Sequence, residues 1–355
     1  MRPLASPCLV TLFALQVPVA AQAVQLVGPG GFTTIQAAID AAAPGDTVLV
    51  DAGVYPSFAV GKPLTITAMP SALVRVVTTG TVAIALQPFD RVHLAGLDVQ
   101  ANAITFTGGL VSAERCTLRT TRTLMVSDGI ALLRWSAAGS LQGNGITVRN
   151  GHLHASDSTF STAASGVATS EYGGVKLLGS AQCLLASCTL VGSWPTSIDA
   201  PWPSVALHAS RAGTTSRAWL TDCNLLGGFH LTGPLGPALV AASSGAARVR
   251  LHRTQTSGLA IGNVATGPVI GVGTPVDMTI GSTFVTTLHS EPGHPVLFYV
   301  GLDIAGPVQI PEVEQPTFGF LATTIFPSIN ADAQGVATFA FQVPNNPALR
   351  HTTLF

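Results

Sequence analysis

The chain has 355 residues, of which only 9% are charged, with two lysines and a formal net charge of -1 at pH 7. That balance argues against nucleic acid and against strong general attraction to a polyanion, because such partners call for clustered Lys or Arg, although it leaves room for a local arginine patch. A chain of this size exceeds what one ordinary core holds, so two domains are expected unless the fold lengthens by repetition.

Residues 1–23 contain Arg2, an apolar run over residues 9–20 and Ala21-Gln22-Ala23 as a small-residue cleavage site, the pattern of a secretory signal peptide. The mature chain is expected to begin near Val24. Cys8 does not mark a lipoprotein, because the apolar run follows the cysteine instead of preceding it. No other segment reaches the roughly 18 apolar residues that suggest a membrane span, so the product is expected to be secreted, extracellular or held at the cell surface. Export permits disulfides, yet Cys116, Cys183, Cys188 and Cys223 leave the pairing open. Three of them occupy equivalent points of a repeat, which favours buried, unbridged thiols.

The first element is a helix. Thr33 and Gln36 have the spacing of a capping box, Ile35, Ala38, Ile39 and Ala42 fall on one face, and Pro44-Gly45 stops the helix. Residues 47–50 and 64–67 then read as short strands separated by a Gly-containing turn. This stretch, 31–66, resembles the N-terminal cap of right-handed parallel β-helix proteins, the pectin lyase-like superfamily that includes pectate lyases and pectin methylesterases. The resemblance implies an all-β solenoid behind the capping helix.

A repeat supports it. Arg115-Cys116-Thr117-Leu118, Asp157-Ser158-Thr159-Phe160, Ser187-Cys188-Thr189-Leu190, Asp222-Cys223-Asn224-Leu225 and Arg253-Thr254-Gln255-Thr256 each alternate out, in, out, in. A weaker copy lies around Gly96-Leu97, and one long gap hides a further turn near Trp135. Spacings from about 20 to the mid-thirties suit coils with variable loops. In this register Arg115, Asp157, Ser187, Asp222 and Arg253 form an outward column. Rungs about 4.8 Å apart let Asp222 pair with Arg253 and set Asp157 about 9 to 10 Å from Asp222.

The column is the best-motivated polar site, with Asp157, Asp222 and Arg253 as candidate catalytic residues. Lyase chemistry of the pectate type would need clustered carboxylates to hold calcium and a basic residue to abstract a proton. The scattered acids do not supply that cluster, and a salt-bridge ladder is the preferred account of the column. A glycosidase would need two carboxylates roughly 5 to 9.5 Å apart, which the Asp157 to Asp222 spacing meets only at its outer limit. Ser204-Val205-Ala206-Leu207-His208 and Asp222 to Phe229 look like pectin methylesterase segments but lack the catalytic Gln and the nucleophilic Asp that the resemblance would require. His152 and His154 alternate on one strand without a convincing third zinc ligand, so no metal is expected. His208, His230 and His252 read as solvated residues near turns. Trp194 and Trp202, with Asp199 and Tyr172 nearby, form a candidate substrate-binding loop in which sugar rings would stack on the indoles.

From about residue 267 the pattern changes to longer strands at 276–280, 296–301, 318–321 and 335–343, with turn signals at 330–335, and suggests a small β-sandwich. The closing residues resemble a C-terminal module of bacterial secreted proteins. His351 stands where that module has Gly, and the chain ends inside what would be its final strand, which implies either truncation or an edge completed by another element. The expectation is therefore a signal peptide at 1–23, a right-handed parallel β-helix at 24–266 and a β-sandwich-like domain at 267–355. A non-catalytic scaffold or carbohydrate-binding protein, needing no cofactor and meeting an extracellular polysaccharide or cell-surface glycan, is preferred. The alternative is a divergent polysaccharide lyase, with Ca2+, or a glycoside hydrolase.

Overall fold

The computed structural model describes residues 22–162, 173–192, 205–209, 215–227 and, beyond them, separate stretches between 239 and 342. The signal peptide up to residue 21, the loop residues Tyr172, Trp194, Asp199 and Trp202, His230, the strand expected at 276–280 and the closing residues from 343 lie outside the described residues.

The helix forms as Ile35–Ala41, but its cap is Thr34, whose Oγ accepts the Ala37 N–H at 3.1 Å. The expected capping box on Thr33 is therefore corrected by one residue. Gln36 does not reach back to the cap because both ends of its amide are engaged elsewhere. Its Nε2 donates to Asp40 at 2.7 Å, and its Oε1 accepts the Ala59 N–H at 2.7 Å, tying the helix to the next coil. The chain leaves the helix at Ala42 in an extended conformation. Asp46 then closes the turn by accepting N–H groups from Ala43 and Ala23, and these bonds hold its carboxyl below its ordinary value. Ile35, Ala38, Ile39 and Ala42 are buried in the main core, so the helix covers the open end of a stack of coils.

Behind it the pairing is that of a parallel β-helix. Among the described residues one eleven-stranded sheet is parallel throughout, and its register runs unbroken from Leu110 through Ile130, His152, Gln182 and Arg217 to Arg248. A second parallel sheet forms the other two sides of each coil. Its near limb, just after the corner, holds Ala137–Ser140, Thr159–Thr162, Thr189–Val191 and Asn224–Leu226. Its far limb holds Ile146–Arg149, Gly173–Leu178 and Val205–Ala209. Earlier coils cover both limbs with single long strands, Leu97–Thr107 and Thr117–Ser127.

The corner between the first sheet and the near limb recurs on seven coils. Gly96, Arg115, Trp135, Asp157, Ser187, Asp222 and Arg253 all have positive φ, between 42° and 69°. The coil hidden near Trp135 is thus present. In each case from Gly96 to Ser187 the corner N–H donates to a carbonyl of the next coil, at 3.0 to 3.2 Å. The residue after the corner turns inward, so Cys116, Ser136, Ser158, Cys188 and Cys223 are buried, with Leu118, Phe160, Leu190 and Leu225 two positions on. The inner Oγ atoms form a ladder of their own. Cys116 N–H donates to Ser136 Oγ at 3.2 Å and Ser136 N–H to Ser158 Oγ at 3.1 Å, while Ser136 Oγ donates to the Arg134 carbonyl at 2.8 Å. All four described thiols are free and buried, and Cys116, Cys188 and Cys223 hold the equivalent inner position of the repeat.

Burial alternates cleanly in the early coils, as in Arg91–Ala95, and the alternation is lost further along. In Ile130–Arg134, His152–Ser156, Gln182–Ala186 and Arg217–Thr221 the outward Leu132, His154, Leu184 and Trp219 are also buried.

The last described parallel pair ends at Thr266, and from Thr283 onward the pairing is antiparallel. Thr283 lies opposite Gln342, Pro295 opposite Asn330, and Val308 opposite Thr317, in nearly one register. The described strands form four two-stranded antiparallel pairs. Each strand has one partner among the described residues, and the second sheet that a sandwich requires is not among them. The turn signals at 330–335 do not reverse the chain, because pairing resumes in the same direction on either side of them. Ala337 and Phe339 are buried while Thr338 and Ala340 are exposed, the alternation the sequence suggests.

The inner ladder yields a stability prediction. Ser136→Ala leaves the buried Cys116 N–H without its acceptor and should destabilise the protein by about 1 to 3 kcal/mol in urea unfolding followed by circular dichroism. Ser136→Cys should lose less, because thiols already occupy the same position on three other coils.

Candidate functional site

The outward column is built by the left-handed corner, which aims each side chain away from the core. Arg253 Nη2 lies 2.5 Å from Asp222 Oδ2, so the pair expected from the register is formed, with side chains 40% and 38% exposed. Asp157 is not brought to it. Its N–H bonds to the Ala186 carbonyl and that of Ser187 to the Thr221 carbonyl, which puts the Ser187 rung between the two carboxylates. Two rungs amount to about 9.6 Å.

Tyr172 and the loop bearing Trp194, Asp199 and Trp202 lie outside the described residues, but the strands they lead into are neighbours, with Gly173 opposite Val205. On those strands Lys176 lies opposite His208, and Thr147 opposite Lys176. Val175, Leu177 and Leu207 fill the core, so this polar row faces away from it. Thr147 accepts from Asn144 Nδ2 at 3.2 Å, and Asn144 Oδ1 accepts the Gly173 N–H at 2.9 Å. The expectation of His208 as a solvated turn residue is corrected, since it sits in mid-strand and is half-buried. His252 ends the strand Arg248–His252. Lys176, one of only two lysines, was legible from the alternation of Val175-Lys176-Leu177 but carries no motif.

His152 and His154 do share one face of their strand, opposite Leu153 and Ala155 in the core. Burial, and then the neighbouring His152, push His154 down to about 3, and burial lowers His152. Among the described residues no group of three His, Cys, Asp or Glu side chains is placed to hold a metal ion. Burial raises Cys116 to about 11 and also raises Cys183, while Cys188 is raised first by its contact with Cys223; these thiols are structural.

Trp135 was missed as a site residue. It occupies the same corner as Asp157 and Asp222, is 44% exposed, and carries the Arg134 guanidinium over its ring at 3.7 Å from the centroid. The out-in pattern of Trp135-Ser136 was the available signal, weakened because Ala138 replaces the large inward residue of the other copies.

No protein-family model matches the chain, and no curated protein sequence matches it. Among solved structures it is similar to ORF18 of Geobacillus virus E2, at 10% identity and a TM-score of 0.46, over 88% of this chain and 70% of that one. It is also similar to a pectin methylesterase in complex with a hexasaccharide, at 12% identity and a TM-score of 0.37, over 69% of this chain and 81% of that one. The fold assignment rests on the strand register, and these likenesses add no functional argument. No helix among the described residues is long and apolar enough to cross a membrane.

Two outcomes are expected here. A double-mutant cycle on Asp222→Ala and Arg253→Ala should give a coupling of at most about 1 kcal/mol, shrinking in molar salt, because the pair is solvent-exposed. Between pH 6.5 and about 3 the unfolded chain binds a proton at His154 that the folded state refuses. Stability should therefore fall as the pH drops below 6.5, by up to about 1.4 kcal/mol per unit, and thermal melts of His154→Gln should show a flatter decline.

Proposed function

We propose that this protein is an exported, non-catalytic β-helix that recognises an extracellular polysaccharide or cell-surface glycan. The arrangement of the column carries the reading. Asp222 is occupied by Arg253, and Asp157 stands two rungs away, so the acids form a ladder along the solenoid instead of a converging pair. Glycosidic cleavage needs two carboxylates facing one bond, and calcium-assisted lyase chemistry needs several around one ion. A regular outer surface with one polar or aromatic side chain per rung suits recognition of a repeating polymer. In this reading Trp194 and Trp202, with Asp199 and Tyr172, belong to loops that lead into the Lys176 and His208 strands and would contribute to the glycan contact.

The test is a panel of plant, algal and bacterial polysaccharides, recording binding together with release of unsaturated or reducing ends in the presence of Ca2+. Binding without turnover is expected, weakened by Trp194→Ala and Trp202→Ala. Turnover that vanishes in Asp222→Ala would overturn the non-catalytic reading in favour of a lyase or hydrolase centred on Asp157, Asp222 and Arg253.

A further inference from the structure

The near limb has a shallow trough on its outer surface. Its floor is the strand Ala137–Ser140, whose Ala138 and Ser140 face the core, leaving the methyl of Ala137 and the bare backbone of Gly139 outside. Thr117 and Arg119 stand on one side, opposite Ala137 and Gly139 in register, and Thr159 and Ser161 on the other. The flanking strands are two spacings apart, about 9.6 Å from backbone to backbone. A Cβ at Gly139 would come within 3.1 Å of Ser161 Oγ, so the floor has little room to rise. Trp135 closes one end and Leu141, 56% exposed, lies beyond the other, six residues or about 20 Å along the strand.

The two ends and one wall are not neutral surface. Trp135 is an aromatic residue held in the left-handed region, where its six counterparts on other coils are Gly, Arg, Asp or Ser. A large side chain is disfavoured there, and strain of this kind gathers at ligand clamps. Arg134 stacked on the indole holds the ring in place. Along the wall Arg115, Arg119 and Arg122 come from the single strand Thr117–Ser127 and the corner before it. Arg115 is engaged by Glu114 at 3.0 Å, whereas no ion pair to Arg119 or Arg122 forms among the described residues. With Arg134, four arginines face Glu114, Asp157 and Asp98, the last engaged by Arg75 at 3.7 Å, so this patch is locally positive on a chain whose net charge is -1.

We propose that this trough binds an acidic polysaccharide, one ring stacking on Trp135 and the anionic groups of successive sugars meeting Arg115, Arg119 and Arg122. Asp157, next to Trp135 along the corner, accepts hydrogen bonds from ring hydroxyls. The inference rests on the glycan-binding reading above and adds to it a site and a charge class. A nucleic acid is the less fitting partner, because the chain carries no overall excess of positive charge, its formal net charge being -1.

Binding of the full mature chain to polygalacturonate, alginate and dextran sulfate, against methyl-esterified pectin and dextran, tests this by calorimetry at low and high salt. Tight binding of the acidic polymers is expected, weaker by about tenfold or more in 0.5 M NaCl as screening grows. Trp135→Asn should weaken it at least about tenfold without lowering the melting temperature, because Asn suits the left-handed corner. Arg119→Gln should weaken it several-fold, and Arg149→Gln, exposed on the far limb, should leave it unchanged. Preference for uronate polymers over the sulfated one at equal charge would assign the ligand group as carboxylate, and the reverse as sulfate; both support the site. Acidic-polymer binding that is indifferent to Trp135→Asn and Arg119→Gln, or binding of neutral glycans alone, would overturn this trough while leaving the glycan-binding reading intact. Absence of any glycan binding would overturn both. Binding of a DNA or RNA duplex lost in the same variants would replace the polysaccharide with a nucleic acid.

Discussion

A backbone N–H that no strand can pair is the constraint around which this molecule is built. To turn from the first sheet into the near limb in one step, a coil places one residue at positive φ and turns the next inward, where its amide faces the core. A buried amide without an acceptor is expensive, so the neighbouring coil must offer an acceptor at that point. Ser136, Ser158 and Thr254 do so, and the corner residues themselves lean on carbonyls of the next coil. Each turn therefore depends on its neighbour, and the register of two sheets follows from one recurring hydrogen bond.

That dependence explains what could be read in advance. The inner position is a small Cys, Ser or Thr on six of the seven coils, followed two places later by a large apolar residue on most of them, so Cys116 with Leu118 and Ser158 with Phe160 announce their coils. The outer corner residue is under no such restriction. Arg, Asp, Ser and Trp all appear there, which is why Trp135 passed as a hidden turn and not as a surface feature. The helix was legible from its apolar face, but the choice between Thr33 and Thr34 as cap turned on where Gln36 found partners, and Ala59 lies 23 residues away. His208 was misplaced for a similar reason, since its strand is defined by pairing to Gly173–Leu178 across a long loop.

The surface chemistry divides along the same lines. On the first sheet, later coils bury both faces, and His154 sits neutral among apolar neighbours. On the near limb the outer face stays open and carries arginines, small residues and one stacked indole. A low net charge thus coexists with exposed arginines, Arg119 and Arg122, on the near limb.

The buried thiols have a consequence for the chain as a whole. Cys116, Cys183, Cys188 and Cys223 sit unbridged inside the coils, where other small side chains do the same work. No covalent cross-link among them holds the described coils together, although Cys188 and Cys223 lie in contact on neighbouring coils. What joins coil to coil among the described residues is backbone hydrogen bonding and packing. With every described solenoid strand paired to another coil, the topology is of the long-range kind that tends to fold slowly.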